Sequence, residues 1–149
     1  MTPRRLATLR QLERLAQLQQ ERDRMALAQT IAAETEAQQA AEGTRQRLET
    51  LTAWRSQLTD EAHLALDRYT WALEATAWAV DENLAACQAL ERCQDATRQS
   101  ALALAGSHGR HDATMQRRQH LQRDQARHTQ ERQREYAIES WLGLQGGSS

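Results

Sequence analysis

Leucines recur at every third position over the first turns of the chain, at Leu6, Leu9, Leu12, Leu15 and Leu18. Each step of three along a helix falls about 60° short of a full circle, so this ladder sweeps roughly 240° of the surface. A two-helix seam needs only a narrow apolar stripe. The start of the chain therefore offers apolar surface to more than one neighbour. The next stretch is thinner: Ala28, Ile31, Ala32, Ala41 and Gly43 permit close helix approach but supply little burial. Leu51, Trp54 and Leu58 then restore a seam at steps of three and four. Beyond residue 60 two apolar stripes run side by side. Leu66, Tyr69, Leu73 and Val80 cluster on one side, and Leu64, Trp71 and Trp78, spaced by seven, lie about 180° away. Asp60, Asp67, Glu74 and Asp81 follow the same spacing on a third face. One stripe is expected to zip against the first helix, leaving the other as a docking site.

These periods predict an all-α fold, a long antiparallel helical hairpin in the form of a two-helix coiled coil. The first helix is expected over residues 3–58, opening at Pro3, where a proline's missing N–H costs nothing. The reversal falls within residues 56–82. Ser56 to Glu61 has the Ser/Thr/Asp character of a helix start, whereas equal arm lengths would put the turn at 72–76. Helical segments follow over 60–105 and 110–142, then a frayed tail over 143–149. Gly106-Ser107-His108-Gly109 is the clearest internal break, either a kink in a long second helix or a turn into a third. The whole reads as a single coiled-coil domain.

Composition supports helices and excludes a large core. The 149 residues include one Pro, one Val, no Phe and only 4% aromatics, so strand formers are scarce. Hydrophobic residues make up 40%, but much of that is Ala, and mean hydropathy is −0.82. Such a chain acts through its surface. No apolar run approaches the roughly 20 residues of a membrane span, and the start lacks the apolar stretch of a cleaved signal. Cys87 and Cys93 are six apart, which suits neither a metal nor a redox motif; both read as reduced, partly buried small side chains in a cytoplasmic protein.

The net charge is only −1, but it is unevenly placed. Residues 1–24 carry six arginines against three acids, and residues 110–134 carry seven against three. Residues 60–95 carry eight acids against Arg68 and Arg92. A chain folded back on itself would gather both basic segments at one end and the acids at the other.

No catalytic constellation emerges, and no cofactor or metal is expected. His108-x-x-His111 beside Asp112 is a poor match to a metal site, which needs converging ligands from a second element. There is no glycine-rich phosphate loop. The Arg-rich stretch 110–134 is diluted by glutamine and acids, so an acidic protein surface suits it better than nucleic acid. The four tryptophans, Trp54, Trp71, Trp78 and Trp141, read as seam residues, except that a narrow seam cannot hide them all.

The Arg-Arg-Leu-x-x-Leu-x-x-Leu start (Arg4 to Leu12), the length, the almost unbroken helices and the Gln/Arg/Glu-rich segment before Trp141 resemble the type III secretion stalk proteins of the YscO/FliJ family, found in injectisomes and flagellar export machines. The stretch around Leu66, Tyr69, Trp71 and Leu73 is similar too. The resemblance implies a non-catalytic coupling protein at the cytoplasmic face of the secretion apparatus. Its paired termini would enter the ring of a hexameric secretion ATPase, the opposite part would engage the export gate protein, and secretion chaperones are further partners. On that reading Arg4, Arg5, Arg10 and Arg14, with Leu6, Leu9, Tyr136 and Trp141, would contact the ATPase. Leu64, Trp71 and Trp78 with Asp67 and Glu74 would face the gate. The rival reading is a self-associating coiled-coil scaffold without an ATPase partner. Neither involves nucleic acid or direct membrane insertion.

Overall fold

The structure, a computed structural model, describes residues 3–60 and 66–147. Two helices account for nearly all of them, α1 (Pro3–Asp60) and α2 (Leu66–Gly146). The fold is all-α, and among the described residues there is no strand. The first helix ends at Asp60 rather than Leu58, and the reversal lies between Asp60 and Leu66, outside the described residues. That excludes the turn at 72–76, which lies inside α2. The segment 143–149 is not all tail, because α2 continues to Gly146.

The glycines at 106 and 109 do not interrupt α2, so no third helix forms. Neither has a positive φ. A helical glycine costs roughly 0.5–1 kcal/mol against alanine, and local packing offsets that here. Ser107, between the two, is 1% exposed. His108 Nδ1 lies 2.7 Å from Gln20 Nε2 on α1. Turn chemistry is a local preference, and the bonds of a long helix packed on a partner outweigh it.

The chain divides into two compact units, one formed by Met1–Arg22 with Ala105–Ser149 and the other by Asp23–Leu104. In the second, central unit the two helices pair antiparallel, with Thr30 facing Thr97, Thr44 facing Asn83, and Arg47 facing Glu82. Its α2 seam runs Tyr69, Ala72, Thr76, Ala79, Asn83, Ala86, Leu90, Cys93 and Thr97, alternating steps of three and four. That alternation averages 3.5 residues per turn and keeps one stripe against the partner helix. The most deeply buried seam positions are mainly small or polar, while the larger Leu27, Leu48, Leu51 and Trp54 of α1 and Leu90 of α2 are half-buried. Ala72 is 0% and Ala79 1% exposed, and Thr76, Thr44 and Ala41 are buried beside them. Among α1's large apolar residues in this unit, only Leu58 is fully buried.

Neither apolar stripe foreseen after residue 60 is the seam; the contact line passes between them. Tyr69 is half-buried, but Leu73 is 40% and Val80 46% exposed, and Leu66 is more exposed still. Trp71 and Trp78 on the far side are open as well. Cys93 sits half-buried in the seam, while Cys87 is exposed rather than partly buried; both are free thiols.

In the unit made from the two ends of the chain, Leu6, Leu9, Glu13, Ala16 and Gln20 of α1 form the seam with Ser107, His111, Thr114, Arg118 and Leu121 of α2. Here too the pairing is antiparallel and largely polar. Arg118 Nε lies 3.0 Å from Glu13 Oε2, an ion pair by proximity rather than by an aligned N–H bond. The leucine ladder behaves as its spacing requires. Leu9 is buried, Leu6 half-buried, and Leu12, Leu15 and Leu18 rotate out of the seam, Leu15 being 62% exposed.

Candidate docking surfaces

With so little apolar area in the seams, the large side chains that remain outside are the candidate functional surface. In the unit of the chain ends, Arg4, Arg5, Arg10 and Arg14 are all exposed on α1. Arg4, Arg5, Thr8 and Leu9 line an open groove with Leu121 of α2. A second groove, lined by Leu9, Leu12, Ala113, Thr114, Gln116, Arg117 and His120, adjoins it through Leu9. The two grooves mix guanidinium groups with leucine edges, a chemistry suited to an acidic, partly apolar protein surface. Leu9 belongs to the floor of these grooves, because its side chain is spent in the seam.

Tyr136 and Trp141 are not gathered with those residues. Every residue from 122 to 147 is exposed, so α2 runs on past Leu121, its last half-buried residue, without burying any of these side chains. At about 1.5 Å per residue Tyr136 lies roughly 22 Å beyond Leu121, and Trp141 roughly 30 Å. Tyr136, Ile138, Trp141, Leu142 and Leu144 are each more than half exposed. Leu6 and Leu9 therefore do not pack against Tyr136 or Trp141.

In the central unit the tryptophans form a surface of their own. Trp54 of α1 meets Trp71 of α2 edge to face, with ring centroids 5.2 Å apart and planes at 77°. Such a pair contributes roughly 0.5–1.5 kcal/mol beyond its area. It also fixes both rings beside a groove lined by Leu58, Asp67 and Arg68. Trp78, one heptad on, has no ring partner among the described residues and is 63% exposed. Asp67 and Glu74 are exposed on the neighbouring stripe, and Leu64 lies outside the described residues. Trp54 was readable only as a seam residue; its role in holding Trp71 depends on which face α1 presents.

Two histidines, His108 and His111, lie where α2 meets α1 in the unit of the chain ends. His108 Nδ1 accepts from the Gln20 amide, which leaves the ring proton on Nε2, 3.2 Å from Asp112 Oδ2. His111 Nδ1 lies 4.0 Å from the same carboxylate. Among the described residues no group of three His, Cys, Asp or Glu is placed to hold a metal ion. No helix among them is long and apolar enough to cross a membrane. Of the exposed charge clusters, Arg45 binds both Glu42 and Glu49 on its own helix. The guanidinium holds the Glu42 carboxyl below its usual range through a hydrogen bond.

Comparison with protein families, with curated proteins and with solved structures found no match.

Proposed function

We propose that this chain is a non-catalytic stalk of a type III secretion system, acting at the cytoplasmic face of the apparatus. It would enter the ring of the hexameric secretion ATPase with its basic chain ends, promote assembly and activity there, and link the ATPase to the export gate through the tryptophan surface. Secretion chaperones are further candidate partners. The observation that carries this reading is the inverted distribution of side chains. Of the buried residues only Leu9 and Leu58 carry large apolar side chains, the rest being alanine, serine, threonine and glutamine, while Leu15, Leu18, Trp71, Trp78 and Trp141 stand outside. A helix pair that spends its large apolar residues on its exterior is built to contact other proteins. The resemblance in the Arg4–Leu12 start and in the helical architecture supports the choice of secretion proteins as those partners.

The test is ATP hydrolysis by the cognate secretion ATPase, titrated with this chain while light scattering follows complex size. Stimulation saturating near one chain per hexamer is the expected result. Reversing Arg5, Arg10 and Arg14 to Glu should weaken the complex at least tenfold with helicity unchanged, since all three side chains are exposed. Full binding by that variant would remove the basic contact from the account.

One observation favours the rival reading, a self-associating scaffold. Trp78 and the Leu73/Val80 side are both open in the free chain, and exposed apolar faces of this kind can pair with copies of themselves. Concentration-dependent sedimentation, with no effect on the ATPase, would select it.

A further inference from the structure

α2 of the central unit carries a second heptad ladder that α1 does not use. The seam residues Tyr69, Ala72, Thr76, Ala79, Asn83 and Ala86 are each followed directly by one member of another series. That series, with Leu66 in front, reads Leu66, Thr70, Leu73, Ala77, Val80, Leu84 and Cys87. It therefore keeps the same alternation of three and four, turned about 100° around the helix. It is the more apolar of the two ladders, and every one of its members is exposed. The side of the seam where α1 and α2 exchange side-chain contacts, through Arg47 with Glu82 and Trp54 with Trp71, is the other one. The ladder is thus a ready coiled-coil face with nothing laid on it.

Its flank decides what can lie there. The position next to each Leu66, Leu73 and Val80 is Asp67, Glu74 and Asp81, all exposed. In a coiled coil these flanking positions select the partner by charge. A second copy of this face, laid antiparallel, would bring carboxylates against carboxylates, which opposes pairing. The chain's own arginine-rich stretch 117–134 does not fit either, because it has no apolar ladder to match. We infer that the Leu66–Cys87 ladder of α2 is the docking face for an amphipathic helix of another protein, one whose apolar heptad stripe is flanked by arginine or lysine. Its apolar ladder shares no residue with the Trp71/Trp78 surface, Asp67 bordering both, and the inference does not depend on the secretion reading.

The experiment uses the full chain and two synthetic helical peptides of equal length, each with leucine at both core heptad positions. One carries lysine at the flanking positions and the other glutamate, and binding is read by fluorescence anisotropy. The lysine peptide should bind at least tenfold more tightly than the glutamate peptide. Leu73→Ser with Val80→Ser should weaken it at least tenfold, while Trp78→Ser should change it less than twofold. Because a serine pair could disturb the helices, Glu74→Lys with Asp81→Lys provides a second reading. This variant keeps the apolar ladder and should reverse the preference between the peptides. Equal binding of both peptides, binding of neither, or a preference untouched by the charge reversal would each overturn the inference. So would sedimentation showing a dimer that Leu73→Ser with Val80→Ser dissolves, because the occupant would then be a second copy.

Discussion

Ala72 is 0% exposed at a seam where small residues let α1 and α2 approach closely, so replacing it with leucine asks how close that approach is. Leucine adds three carbons. If the seam had room for them, burial at about 0.8 kcal/mol per carbon would stabilise the chain by about 2 kcal/mol. If the seam is as tight as its alanines imply, the helices must separate locally, and overpacking of this kind costs roughly 1–3 kcal/mol. The two accounts differ in sign, so the measurement is decisive. At about 2–4 °C per kcal/mol for a chain of this size, Ala72→Leu should lower the melting temperature by roughly 2–12 °C. Ala77, also on α2 but exposed, is the control; Ala77→Leu should fall within about 0.5 kcal/mol of the parent. Thermal unfolding followed by circular dichroism at the helical band reads both. An Ala72→Leu variant more stable than the parent would refute the close-packed seam, and with it the argument that large side chains were displaced to the exterior.

Gly109→Ala should stabilise α2 by about 0.5–1 kcal/mol, because the helix continues through that position and an added Cβ meets nothing within 4 Å. Loss of stability in chemical denaturation would mean a turn is needed there. Glu13→Gln should cost about 1–2 kcal/mol, between the values for exposed and buried pairs, since Glu13 is 17% and Arg118 29% exposed. Replacing both residues by leucine should recover most of that loss, and denaturation that misses the single-variant loss would show the pair to be incidental. The Glu42 carboxyl, held low by Arg45, should titrate below ordinary glutamates by NMR and return to their range in Arg45→Gln. The sign follows from a lowered folded-state value: this contribution is complete above the ordinary glutamate pKa and is lost as pH falls through the lowered one. A Glu42 titration unchanged by Arg45→Gln would remove the pair as its cause.

The helices were legible because length and composition left no other option. Pro3 opens α1, and Val, Ile and Phe are scarce or absent. The exposure of Leu12, Leu15 and Leu18 was legible from spacing alone, since a step of three cannot stay on one stripe. The seam was not. Large apolar side chains advertise a stripe, whereas Ala72, Thr76, Ala79 and Asn83 read as filler around Leu73 and Val80. The two ladders share one period and differ by a single residue in phase, and only the contacts with α1 choose between them. Gly106 and Gly109 misled for the opposite reason. Their turn preference is visible in the sequence, but Ser107 in the seam and Gln20 at His108, which offset it, come from packing across chain-distant segments.

The plainness of the central seam has a consequence for alignment. Along α2 one seam alanine looks much like another to the helix opposite, so sliding α1 by a heptad, about 10 Å at 1.5 Å per residue, would set it against similar small residues. What such a slide would break are the Trp54–Trp71 ring contact and the keyed polar positions. The single hydroxyl proton of Thr44 is shared between the Ala41 carbonyl at 2.9 Å and Asn83 Oδ1 at 3.0 Å. Thr97 reaches the Thr30 carbonyl at 3.3 Å, and Arg47 reaches Glu82 at 2.8 Å. These few polar contacts act as detents on an otherwise featureless track. They contribute little to how strongly the helices hold and much to where along each other they stop.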